Sequence, residues 1–352
     1  KACESGSHAA CTTSATCGGS ACTAGTCITR SGDGSPIDFY PAANSRMENN
    51  IAWGTGGRFQ VIGVHIAVCN ASAGALAGVR CSVDADCGTG QCTGEIATSG
   101  NLVTGNVGID LGDWGNDGTY EVNGYGVAVS AHPSSYGAIP YDNISRENLL
   151  ISPAQNGDYH RTTVNTIVDG DTIFNWGAKV SSAGMYVDED SAVVCGSWTI
   201  NYPSAPSPVR RCSITVKNAL LLGGTGSGIY VESASGVTGQ TGGIDTTVEY
   251  LNVYGAGVTT AYSVGGVQTN STTVAPDPAM GTSTNQCIAW LPDGSNMRGA
   301  GKSTGAACTT DANCASQHEQ CGSSVCRRHI GATILYATEG GVINYGKPLW
   351  KN

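Results

Sequence analysis

The chain has 352 residues, of which 40% are hydrophobic, 7% aromatic and only 12% charged, with 51 glycines and a formal net charge of −10. That apolar content suffices for one large core or two moderate ones and excludes wholesale disorder. The acidic balance excludes nucleic acid as the natural partner, because a phosphate backbone rewards Lys and Arg, and no apolar run reaches the length of a transmembrane helix.

Gly, Thr, Ser, Asn and Val dominate, and few windows carry Ala, Leu, Glu, Lys and Arg at helical spacing, so the expectation is an all-β chain with many tight turns. The 16 cysteines are even in number and clustered, which points to disulfides in an oxidising compartment. The chain opens at Lys1 without Met or a cationic-then-apolar leader, the expectation for a mature secreted product located outside the cell or on its surface.

Residues 1–36 form the first predicted unit, a cysteine-rich module holding Cys3, Cys11, Cys17, Cys22 and Cys27 among small polar residues. With so little apolar material there, disulfides must supply the stability. The block Cys11-TTSAT-Cys17-GGSA-Cys22 recurs as Cys81-SVDAD-Cys87-GTGQ-Cys92 and as Cys308-TTDAN-Cys314-ASQHEQ-Cys321-GSSV-Cys326. These blocks resemble small cysteine-rich modules of secreted and surface proteins of some bacteria. Insertions are therefore expected at about 69–95 and 287–328, with Cys3, Cys69 and Cys287 as anchors and Cys195 and Cys212 closing a proline-bearing loop. Structural zinc is the competing use of such clusters, with His318 and His329 near the third, but C-x5-C departs from the C-x2-4-C spacing of zinc sites.

Between the modules an apolar pattern repeats. Val216, Ala219, Leu221 and Gly223 fall at the same spacing as Val248, Leu251, Val253 and Gly255, reading V-x-x-h-x-h-x-G, where h is apolar. Val61, Val64, Ile66 and Val68 match the apolar positions, as do Val122, Tyr125, Val127 and Val129, while Val164-x-x-Ile167 is a partial copy with Asp169 next. Further strands are expected in Asn101–Leu111, Asn148–Ile151, Gly228–Val231 and Ile334–Tyr336. A strand unit recurring at 20–50 residues with irregular inserts describes a solenoid.

The segments Ile214-TVKNALLLGGTGSGI-Tyr230-V and Thr247-VEYLNVYGAG resemble coils of the right-handed parallel β-helix of the pectate-lyase-like type, a likeness that extends over roughly residues 37–350. A β-sandwich is the alternative fold; its hairpins would need shorter and more regular spacing.

The resemblance implies that an enzyme of this type would need paired carboxylates, or Ca²⁺ with a basic residue. The candidates are Asp169 and Asp171 in VDGDT and Asp188 and Asp190 in VDED, with His160 and Arg161 upstream; the same four aspartates are the candidates for a structural calcium site. Gly-His-Gly, Arg-x-Lys and Arg-x-Pro-x-x-Arg segments, expected of the family's hydrolases and lyases, are missing, so these acids read as turn residues or structural ligands. The six tryptophans, Trp53, Trp114, Trp176, Trp198, Trp290 and Trp350, are scattered and read as packing residues rather than a sugar platform. Asn70, Asn143 and Asn270 satisfy the N-glycosylation pattern, and Gly223-GTGSG-Gly228 lacks the lysine of a phosphate loop.

A solenoid exposes unpaired backbone at both ends, and neither terminus of this chain shows an amphipathic capping helix. The functional expectation is a secreted, non-enzymatic structural protein that assembles head to tail with copies of itself into a filament or surface layer. The alternatives are a secreted polysaccharide lyase or glycoside hydrolase using the aspartates above, and an adhesin whose partner is a glycan.

Overall fold

In the computed structural model the alternating apolar segments stack as parallel strands. The structure describes residues 2–3, 22–23, 37–39, 42–53, 58–63, 65–77, 84–92, 94–112, 124–131, 139–177, 182–188, 212–231, 245–255, 258–259, 266–276, 291, 294–314, 319–332, 336–339 and 342–348. Three parallel sheets of seven, six and seven strands form the walls of a parallel β-helix. The β-sandwich alternative does not apply.

Sheet A comprises Arg46–Glu48, Leu102–Thr104, Ile144–Arg146, Thr166–Asp169, Ser213–Lys217, Asp245–Glu249 and Gly266–Thr269. Sheet B comprises Ile51–Trp53, Val107–Ile109, Leu149–Ile151, Thr172–Phe174, Leu220–Leu222 and Asn252–Tyr254. Sheet C comprises Ile37–Phe39, Phe59–Gly63, Val127–Ala131, Asp158–Arg161, Ser182–Asp188, Gly226–Val231 and Val258–Thr259. The chain visits A, then B, then C. We number coils from Arg46, so that coil 1 is 46–63, coil 2 is 102–131, coil 3 is 144–161, coil 4 is 166–188, coil 5 is 213–231 and coil 6 begins at 245.

The V-x-x-h-x-h-x-G pattern is the path around one corner. Val216 and Leu221 point inward from sheets A and B, Ala219 fills the corner between them, and all three are fully buried. Between the two strands the chain turns through one left-handed residue, at Asn49, Gly105, Glu147, Gly170, Asn218 and Tyr250 in successive coils. Each of these N–H groups donates to the carbonyl one coil further on, at 3.0–3.1 Å. Asn and Gly suit that conformation; Glu147 and Tyr250 adopt it against their intrinsic preference.

Inward side chains of all three sheets form one core, running from Met47, Phe59 and Val61 at one end to Val248, Leu251 and Val253 at the other. Sheet C adds a glycine column. A Cβ at Gly157 would sit 2.3 Å from Ile173 Cγ2, and one at Gly184 would sit 2.8 Å from the Gly228 carbonyl. Only glycine lets the sheet B side chains reach under the next coil there.

The segment that ends in the third cysteine module folds back over the outside of sheet B. Leu291, Met297, Ile330 and Ala332 pack on Val107, Leu149, Ile151, Phe174, Leu220 and Leu222, making a second core. Polar contacts fix this lid at the A–B corner. The Lys302 N–H donates to Asn218 Oδ1 at 2.7 Å, Gly331 N–H to the Asn218 carbonyl at 2.7 Å, and Arg328 Nη2 to Glu147 Oε1 at 2.9 Å.

The cysteine modules share a local device. Asp84 and Asp311 each open a 3-10 turn, and their Oδ1 atoms accept the backbone N–H of Cys92 at 2.7 Å and Cys321 at 2.9 Å. Disulfides join Cys69 to Cys87, Cys308 to Cys321 and Cys314 to Cys326, and Cys92 and Cys212 are disulfide-bonded as well. The antiparallel pair His65–Val68 and Gly94–Ala97 leads the second module out of the solenoid and back. The Val61–Val68 match therefore runs from sheet C into this hairpin instead of rounding a corner. Cys3 and Cys22 lie on paired strands of the first unit, whereas Cys11, Cys17, Cys27, Cys81, Cys195 and Cys287 fall outside the described residues.

Candidate functional site

The interior of the β-helix changes character at coils 3 and 4. In the corner position where Ala219 and Leu251 sit further along, earlier coils carry Asn50, Asn106, Asn148 and Asp171. These side chains form a ladder. Asn106 Oδ1 accepts the N–H of Asn50 at 3.0 Å and its Nδ2 at 2.9 Å; Asn148 Oδ1 accepts both equivalents from Asn106 at 3.0 Å.

Asp171 terminates the ladder. It accepts from Asn148 N–H at 2.8 Å, from Asn148 Nδ2 at 3.2 Å and from Ser145 Oγ at 2.6 Å. Coil 5 offers only Ala219 at the next rung, so an amide at 171 would have a donor with no side-chain acceptor there, and a carboxylate accepts without needing to donate onward. A second, shorter ladder runs from Ser45 N–H to Asn101 Oδ1, and from Asn101 N–H and Nδ2 to Asn143 Oδ1.

Asp158 and His160 project into the same interior from sheet C. Their register partners are Met185 and Val187 in coil 4, which align in turn with Ile229 and Val231 in coil 5. Both polar residues are fully buried. Among the described residues no N–H, and no hydroxyl of Ser, Thr or Tyr, reaches either oxygen of Asp158, whose neighbour is the Asp171 carboxyl. Burial first, and then the charge of Asp171, hold the Asp158 carboxyl well above the usual carboxylate range. Burial lifts Asp171 to about 7 against the opposing pull of its donors Ser145 and Asn148. His160 is pushed down to about 3 by burial and is neutral in the core. Chemically, this is a sealed pair of carboxyl groups that keeps a proton in the folded chain at neutral pH.

The structure places three of the four sequence-predicted aspartates apart. Asp169 ends a sheet A strand, where its Oδ2 faces Arg328 at 3.5 Å, Arg146 at 3.6 Å and Lys217 at 3.7 Å. Asp171 lies inside the solenoid. Asp188 ends a sheet C strand on the outer surface, 3.3 Å from Arg161 Nε and 3.3 Å from the Tyr159 hydroxyl, which donates to it. Asp190 falls outside the described residues. Three cationic groups around Asp169 are the opposite of a divalent-cation cradle, and Asp169, Asp171 and Asp188 do not form one set of oxygen ligands. Among the described residues the one convergent group of three potential ligands is Cys308, Cys314 and Cys326, whose sulfurs are engaged in disulfides. His329 accepts the Gly299 N–H at Nδ1.

Outside sheet C a tyrosine column runs along the solenoid: Tyr125, Tyr159, Tyr186 and Tyr230, with ring centroids 4.5, 5.9 and 5.1 Å apart. Arg58 lies over the Tyr125 ring at 5.2 Å. Burial raises the Tyr159 phenol, with Arg161 acting the other way. Trp176 is core packing and Trp53 is exposed, while Trp114, Trp198, Trp290 and Trp350 fall outside the described residues. Asn143 is buried within its ladder, unlike exposed Asn270.

Asp158 and the tyrosine column escaped the sequence reading, although a signal for both exists. Gly157-Asp158-Tyr159-His160, Gly184-Met185-Tyr186-Val187 and Gly228-Ile229-Tyr230-Val231 are one repeat, in which Asp158 and His160 stand where apolar residues recur.

No protein-family model, curated protein or solved structure matches this chain.

Proposed function

We propose that this protein is an extracellular structural subunit whose solenoids join end to end, in a filament or a surface layer. One observation carries the reading. At the N-terminal end all three sheets finish in strands, Ile37–Phe39, Arg46–Glu48 and Ile51–Trp53, that no further strand pairs among the described residues. At the other end the last strands are Val258–Thr259, Gly266–Thr269 and the short bridge of Thr272 to Asn252. All strands run parallel within each sheet, so a second copy in the same orientation continues every sheet. Such a head-to-tail contact is heterologous and propagates when it does not close a ring.

Disulfides indicate an oxidising environment, which suits a durable extracellular material, and among the described residues no helix is long and apolar enough to cross a membrane. The lyase or hydrolase reading is less well supported, because Asp171 is sealed from substrate and Asp169 is neutralised by its cations. A glycan-binding reading draws on one feature, the half-buried tyrosine column flanked by Arg161 and Asp188. Its check is retention on immobilised polysaccharide that Tyr186→Ala abolishes.

The test of assembly is sedimentation velocity and negative-stain microscopy of native protein, before and after mild reduction. Fibres or sheets growing with protein concentration are expected. A single monomeric species at every concentration would overturn the reading.

A further inference from the structure

The outward face of sheet B carries an apolar column in strict register: Trp53, Ile109, Ile151, Phe174, Leu222 and Tyr254. Its middle is covered by the chain's own lid, which leaves Ile151, Phe174 and Leu222 at 5% exposure or less. Its ends are bare. Trp53 is 67% exposed and Ile51 51% at one end, while Tyr254 is 45% exposed at the other. Beyond Tyr254 the chain lays one more short turn over coil 6, where Thr272 bridges Asn252 and the Asn252 side chain clasps the Val274 backbone through both N–H and carbonyl. Val274 is 50% exposed. Of the five exposed large hydrophobic residues among the described ones, four therefore lie at the two ends of this single stripe, and the fifth, Leu76, belongs to a cysteine module.

A soluble surface scatters such residues, so their concentration at the two ends of one continuous face calls for an occupant. The occupant that fits both ends is a second copy of this chain. In a head-to-tail stack the sheet B face of one copy continues into the next, and coils follow one another at about 4.8 Å. The terminal turn with Val274 and Tyr254 then abuts the first coil with Ile51 and Trp53. We propose that these four residues form the junction between successive copies, an apolar seam on the outside of sheet B that sets the rotation of one solenoid on the next. This rests on the end-to-end reading above.

Charge is the sharpest probe, because all four side chains are exposed and the hydrogen bond that Trp53 Nε1 donates to Asp110 Oδ2 at 3.3 Å lies at the surface. Trp53→Glu in the full chain is expected to raise the critical concentration for assembly at least tenfold with unchanged circular dichroism and melting. Val274→Lys has the same effect alone, and the two together restore assembly. Independently, a photo-crosslinking benzophenone amino acid at position 53 is expected to give intermolecular crosslinks to the peptide containing Tyr254 or Val274. Fibres that form from the Trp53→Glu variant as readily as from the wild type, with crosslinks from position 53 elsewhere, would overturn this junction and leave end-to-end assembly standing. Wild-type protein that stays monomeric would overturn both.

Discussion

Coils 3 and 5 share one backbone path and are filled in opposite ways. Coil 5 presents Ile214, Val216, Ala219, Leu221, Ile229 and Val231 to the interior, all buried and apolar. Coil 3 presents Ser145, Asn148, Leu150, Asp158 and His160, equally buried. The solenoid therefore does not require an apolar interior at every level; the polar groups of coil 3 are accommodated in one of two ways, by a hydrogen-bond partner or by the neutral form. The Asn ladder does the first, and the Asp158–Asp171 pair and neutral His160 do the second. The cost of the polar level is dependence on pH.

The largest single effect is expected in the apolar coil. Leu221→Ala opens a cavity in the middle of the core and should cost about 2–5 kcal/mol, read from the denaturant midpoint and equal at all pH values where the wild type is folded. A pH-dependent loss there would break the contrast between the coils.

The polar coil should respond on both sides of neutrality. Asp171, raised to about 7, and Asp158, raised in the same direction, stabilise the fold fully below the ordinary carboxylate range and lose that contribution as pH rises through about 7. His160, lowered to about 3 from 6.5, acts in reverse: its contribution is present above 6.5 and lost as pH falls toward 3. Each limb should amount to a few kcal/mol. Asp158→Asn keeps the shape and can donate to Asp171 while removing one of the two raised carboxyls, so its melting temperature should fall less than the wild type's as pH rises from about 4 to 7. His160→Val, matching Val187 and Val231, should flatten the acid limb.

A smaller effect separates ladder from core. Asn106→Ala removes the acceptor for both Asn50 donors and should cost about 1–3 kcal/mol without altering the pH profile. Smallest is the surface pair. Lys302 bonds Glu249 where both are partly solvated, and Lys302→Ala should change stability by under about 1 kcal/mol and only at low salt.

The repeat was legible where the corner is apolar, at Ala219 and Leu251, and hidden where the same corner holds Asn50, Asn106, Asn148 or Asp171. An apolar template treats those residues as turn formers, because the ladder that pays for their burial exists only once coils are stacked. The wall strands were legible through their alternation, whereas Val61–Val68 crosses from the solenoid into a hairpin that shares its spacing. Asp169 and Asp171, two residues apart in VDGDT, read as one acidic cluster in sequence. The pleat and the turn at Gly170 put them on opposite sides of the wall, one among cations outside and one at the end of a ladder inside. Disulfide chemistry was legible from cysteine number and spacing, but the exposed ends of the sheet B stripe were not, because the lid over its middle is supplied by residues far along the chain.

The most direct test of the account is the orientation of the solenoid within the assembled material, measured by fibre diffraction or helical reconstruction of native fibres. End-to-end stacking predicts the strand spacing of about 4.8 Å along the fibre axis and a subunit repeat of roughly 30 Å or slightly more for the stacked coils. A strand spacing perpendicular to the fibre axis would mean side-by-side packing and would contradict the account.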